Sequence, residues 1–114
     1  MRLRSIIWVK AYVRRCAVSG AAAVVARHGD DDAGAILIRV ERRDGQTAVF
    51  QPAPAGREDA DYDRRWVACF PEMFVAREKA DDLIARETRF DSDVWIVDVD
   101  DPEGRHFLGD DLSN

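Results

Sequence analysis

A chain of 114 residues, 46% hydrophobic and 34% charged, with a net charge of -5, is long enough for one domain over 1–114 and too short for two. That composition excludes a disordered chain, and the acidic balance argues against nucleic-acid binding over the whole surface. The charge is uneven: residues 1–15 carry Arg2, Arg4, Lys10, Arg14 and Arg15 and no acid, whereas residues 91–114 carry eight acids and a single base, Arg105. The two ends are expected to compensate each other.

Ser5 to Ser19 reads as a helix. Ile6, Val9, Val13, Cys16 and Ala17 recur at spacings of three and four, Ser5 is placed to cap the start, and Gly20 supplies the left-handed residue that ends it. Ala21 to Arg27 is short, apolar and β-branched at its centre, which predicts a strand. The polar segment His28–Gly34 leads to a hairpin over Ala35–Gln51 with Asp44-Gly45 at its turn. A two-residue turn there sets Val40 against Val49, Ile38 against Gln51 and Arg39 against Phe50. Ile36, Ile38, Val40 and Val49 then share a buried face. Strands one to three are expected to form an antiparallel meander.

Residues 52–64, with Pro52, Pro54, Gly56 and a run of acids, read as a mobile loop. Arg65–Phe70 predicts a fourth strand. Pro71 opens a second helix with an apolar stripe of Ala76, Ala80, Leu83, Ile84 and Phe90, and with Asp82 and Arg86 paired on its wet side. Val94–Val99 predicts a fifth strand, in which Trp95, Val97 and Val99 share a wholly apolar face and the other face turns polar at Asp98 and Asp100. A turn at Asp101–Gly104 allows Arg105–Leu108 to return as a short last strand, and residues 109–114 form a fraying acidic tail. The fold class is α+β: one mostly antiparallel sheet of four to six strands with two helices packed on it, in the order α-β-β-β-β-α-β.

No complete catalytic motif is present. The serines form no nucleophile elbow, and Gly29 to Gly34 lacks the residues of a phosphate loop. Three consecutive aspartates, Asp30–Asp32, match no cation-binding loop and read as a solvated turn. Cys16 and Cys69 fit neither a disulfide framework nor a zinc knuckle, so both are expected as buried free thiols in a reducing, cytoplasmic setting. No run spans a bilayer, and Lys10, Arg14 and Arg15 break any leader-like core. The chain is therefore expected to meet no membrane and to use no cofactor.

Three functional readings follow. The first is a non-enzymatic protein-interaction module, self-associating, through Trp8, Tyr12, Arg14 and Arg15, which are residue types enriched at interfaces. The second is a metal-dependent hydrolase in which Asp98, Asp100 and His106 supply an oxygen and nitrogen ligand set. The third is nucleic-acid binding through the basic first helix together with Arg39, Arg42 and Arg43 of the hairpin. The acids around those arginines disfavour the third.

The pattern R-L-x-S-x-x-W-V-x-A-x-x-R-R at Arg2–Arg15, R-x-G-D-x-x-A-G-A-I at Arg27–Ile36 and F-D-S-D-V-W-I-V-D-V-D-D-x-E-G-R-H-F-L at Phe90–Leu108 resembles the bacterial domain-of-unknown-function family 1491. The resemblance covers nearly the whole chain. It implies a small bacterial cytosolic protein, and it carries over no activity and no catalytic residue.

Overall fold

A strand that is apolar on both faces needs cover on both, and Val94 to Val99 is such a strand. In the computed structural model, which describes residues 3–54 and 64–113, it lies inside the sheet as β5 (Trp95–Asp100). Its neighbours are β1 (Ala22–Arg27), antiparallel, and β2 (Ile36–Glu41), parallel. From β2 the sheet continues through β3 (Thr47–Pro52) and β4 (Trp66–Ala68) to a two-residue β6 (Leu112–Ser113). Among the described residues the strand order is β1-β5-β2-β3-β4-β6, with three antiparallel and two parallel pairings. This is the expected α+β class with a mostly antiparallel sheet. The expected β1-β2-β3 meander is corrected, because β5 inserts between β1 and β2. The interior position gives β5 a ladder on both edges while its apolar side chains are covered on both faces.

The two helices supply that cover from opposite sides. The first, α1 (Ser5–Val18), buries Val9, Tyr12 and Cys16 against a face built from Ile36, Ile38, Val40, Ala48, Phe50, Trp95, Val97 and Val99. The second, α2 (Arg77–Phe90), buries Ala80 and Ile84 against Leu37, Val49 and Ile96. Each large aliphatic side chain so buried contributes roughly 1.5–3 kcal/mol. Ser5 is not the cap of α1. The backbone carbonyls of Asp31 and Asp32 accept the N–H groups of Ile6 and Ser5, and the Ser5 hydroxyl donates to the Gly34 carbonyl. Ala17, placed on the buried stripe by spacing, is exposed, while Gly20 ends the helix at φ +89° as expected.

The helix predicted from Pro71 begins six residues later. Pro71 lies in a turn closed by Met73 N–H to the Phe70 carbonyl, and Val75 then exchanges two backbone hydrogen bonds with Thr47 before α2 starts. Burying Val75 as a bridge alongside β3 holds this segment extended. Phe90, placed on the apolar stripe, is exposed. Asp82 and Arg86 form no pair; Asp81 instead meets Arg39 and Arg77.

The hairpin exists, with its register shifted by one residue. Ile38 faces Phe50, Arg39 faces Val49 and Val40 faces Ala48. Gly45 N–H donates to the Arg42 carbonyl and Arg42 N–H to the Gln46 carbonyl, so the loop is Arg43-Asp44-Gly45, a turn followed by a left-handed Gly45 at φ +83°. The extra residue moves Val49 to the α2 side, away from Ile36, Ile38 and Val40. Asp44 fixes the loop by accepting from Gln46 N–H and from Arg42, whose guanidinium lies 4.2 Å from the Phe74 ring centre.

Arg105–Leu108 does not return as a strand. It crosses the α1 side as an irregular connection in which Phe107 takes φ +58°, and residues 109–113, read as a tail, form a 3₁₀ turn and β6 beside β4. Most of the 52–64 loop, residues 55–63, lies outside the described residues.

Candidate functional site

Helical spacing brings Trp8 and Tyr12 together, and the sheet then encloses them. Tyr12 is fully buried and its hydroxyl donates to the His106 carbonyl at 2.6 Å. Burial pushes its phenol far above the ordinary value. Trp8 is half-buried, stacked on Tyr12 at 5.0 Å and tilted against Trp66 at 4.9 Å. Arg15 reaches the Phe107 carbonyl at 2.9 Å, and Arg14 is exposed. The four side chains therefore do not form one exposed patch. Two belong to the packing of α1, and Arg15 ties α1 to the Arg105–Leu108 connection.

Asp98, Asp100 and His106 are not brought together. Asp98 lies on the α2 side, where its two oxygens accept from Nε and Nη2 of Arg39, each at 2.8 Å, and Asp100 is exposed on the same side. His106 lies on the α1 side, edge-on to Phe50 at 5.4 Å, with its Nδ1 accepting from Leu108 N–H. Burial holds its imidazole below the usual value. Among the described residues no group of three or more histidines, cysteines, aspartates or glutamates is placed to hold a metal ion. The cations proposed for nucleic acid are largely committed to acids: Arg39 to Asp98 and Asp81, Arg42 to Asp44, and Arg4 to Asp32.

What the strand order leaves open is the β1 end of the sheet. β1 pairs with β5 along one edge, and among the described residues its other edge has no partner. From Ala21 to Ala26 this segment carries no charge. Val24 is 60% exposed on the α2 side and Val25 43% exposed on the α1 side. α2 covers Leu37, Val49 and Ile96 but stops short of Val24, Asp98 and Asp100. A shallow groove of about 170 Å³ remains there, lined by Ala22, Val24, Arg39, Glu41, Thr47, Arg77, Asp98, Val99 and Asp100. Four carboxylates (Glu41, Asp81, Asp98, Asp100) stand around two guanidiniums (Arg39, Arg77). Asp100 has no side-chain partner among the described residues, so the groove keeps unspent negative charge beside an open strand.

The sequence matches the family described as protein of unknown function, DUF1491, over residues 3–109. The chain belongs to the DUF1491 family. A DUF1491 family protein from Caulobacter crescentus CB15, solved in the crystal, superposes with a TM-score of 0.82 at 36% identity, covering 100% of both chains. An NMR structure of a DUF1491 family protein from the same organism gives 0.81 at 38%, covering 100% of this chain and 99% of the other. A solution structure of a protein from A. tumefaciens gives 0.76 at 38%, covering 90% and 89%. No curated protein matches. The segments carrying the family resemblance map onto α1, the β1–β2 connection, and β5 with the Arg105–Leu108 connection. Within the DUF1491 fold these are packing segments. Gly29 and Gly34 sit where a Cβ would meet the Asp93 carbonyl, and Trp95 Nε1 donates to the Asp30 carbonyl. The open β1 edge was missed from sequence, although its uncharged run was visible; edge status follows only from strand order. Among the described residues no helix is long and apolar enough to cross a membrane.

Proposed function

We propose that this DUF1491 protein is a non-enzymatic interaction module that receives an extended, cationic segment on the β1 edge. The observation that carries this reading is the strand itself: six residues, one edge without a partner among the described residues, and two exposed valines, Val24 and Val25. Exposed edges in monomers are ordinarily blunted by lysine, proline or inward charge. β1 has none of these before Arg27, and its one protective device is a bulge between Val25 and Arg27. An added strand gains main-chain hydrogen bonds along β1, and its side chains on the α2 side meet Asp100 and Asp98. Titrating the isotope-labelled full chain with a synthetic peptide of alternating valine and lysine tests this. The expected result is saturable amide shifts in Ala22–Arg27 and β5. An absence of shifts there contradicts the reading.

A further inference from the structure

The β1 edge has a specific occupant whose chemistry is already in the chain. We propose that a second copy of this protein fills it, β1 against β1 about a two-fold axis at Val24. This rests on the reading of β1 as the interaction surface. In an antiparallel pair, directly opposed residues share a face. A two-fold at Val24 therefore sets Val24 against Val24 of the second copy on the α2 side, and Ala23 against Val25 on the α1 side, a small side chain facing a larger one. The bulge beyond Val25 turns Arg27 onto the α2 side, level with Ile96 of β5.

Charge supplies the second argument. The pairing brings Arg27 of each copy to the Ala22 end of the other, and Ala22 lies directly beside Asp100 in the next strand. Two strand spacings amount to about 10 Å, and only the Ala22 methyl stands between. Arg27 now has one contact of 3.4 Å, to the Ser92 carbonyl, and its Nε is buried without a partner among the described residues. Asp100 has no side-chain partner among the described residues. The pairing gives each an opposite charge, twice per dimer by symmetry. An edge of six residues gives an interface at the small end of the specific range, so the dimer is weak and concentration-dependent.

Sedimentation equilibrium on the full chain tests the pairing, with thermal melting confirming that each variant is folded. The expected result is a monomer–dimer equilibrium that Val24→Lys abolishes. Arg27→Asp and Asp100→Arg each weaken it roughly tenfold, and the charge-swapped double variant restores it. Asp100 is exposed, so its reversal leaves the fold intact and keeps the test decisive if Arg27→Asp does not fold. A native chain that stays monomeric at its highest soluble concentration overturns the second copy as occupant. The peptide titration then separately decides whether the edge itself is a binding surface. A dimer indifferent to all three single substitutions forms through another surface and overturns the β1 pairing.

Discussion

At the scale of single residues, the clearest consequence of the packing is the state of His106. Its Nδ1 accepts from Leu108 N–H, so the ring proton lies on Nε2 and the imidazole is neutral. Burial beside Phe50 lowers its affinity for a second proton below that in the unfolded chain, ordinarily about 6.5. The unfolded chain therefore binds protons first as pH falls. The stability that this residue contributes is complete above about pH 6.5 and declines as pH drops from there through the folded value. Asp44 and Asp101 are likewise held below aspartate's ordinary value, Asp44 by its bond from Arg42 and Asp101 by its bond from Arg105. Their contributions fade only at more acid pH. Denaturant unfolding between pH 8 and 5 is expected to show a loss of stability that His106→Asn flattens; a profile with no slope, or one unchanged by the substitution, contradicts this assignment. Burial also raises the Cys69 thiol to about 11, so it is a weak nucleophile at neutral pH.

At the scale of elements, local pattern and long-range pairing separate cleanly. The stop of α1 at Gly20, the hairpin around Asp44-Gly45 and the two faces of β5 were legible because turn chemistry and period-two alternation are local. The hairpin register was not, since a two-residue and a three-residue loop around the same Asp-Gly differ only in hydrogen bonds that sequence leaves open. Nor was the β5 insertion, which depends on which edge of β2 is filled by a strand more than fifty residues later. The site suffered from the same gap. Tryptophan and tyrosine suit interfaces and cores equally, and Trp8 and Tyr12 went to the core. Asp30–Asp32 proved to be more than a solvated turn. Asp30 accepts from the Asp32 and Ala33 N–H groups, and the loop docks on Asp93 and Trp95. Gly34→Ala tests that docking, because its Cβ would lie 2.4 Å from the Asp93 carbonyl oxygen, with backbone on every side. A loss of roughly 1–3 kcal/mol in denaturant unfolding is expected. A neutral substitution means the loop is free to move away.

At the scale of the whole molecule, the asymmetry of the sheet decides where function is sought. Both faces of β2 and β3 are covered, whereas the β1 end exposes apolar side chains and, among the described residues, an unpartnered edge beside surplus carboxylate. Folding alone does not require an uncharged strand at an edge, and natural sheets usually avoid one. Amide hydrogen exchange on the full chain tests this most directly, comparing a dilute sample, a concentrated one, and a dilute one saturated with the alternating valine–lysine peptide. Ala22–Arg27 amides are expected to slow in the second and third samples while the outer amides of α1 and α2 are unchanged. Exchange at β1 that is the same in all three contradicts it.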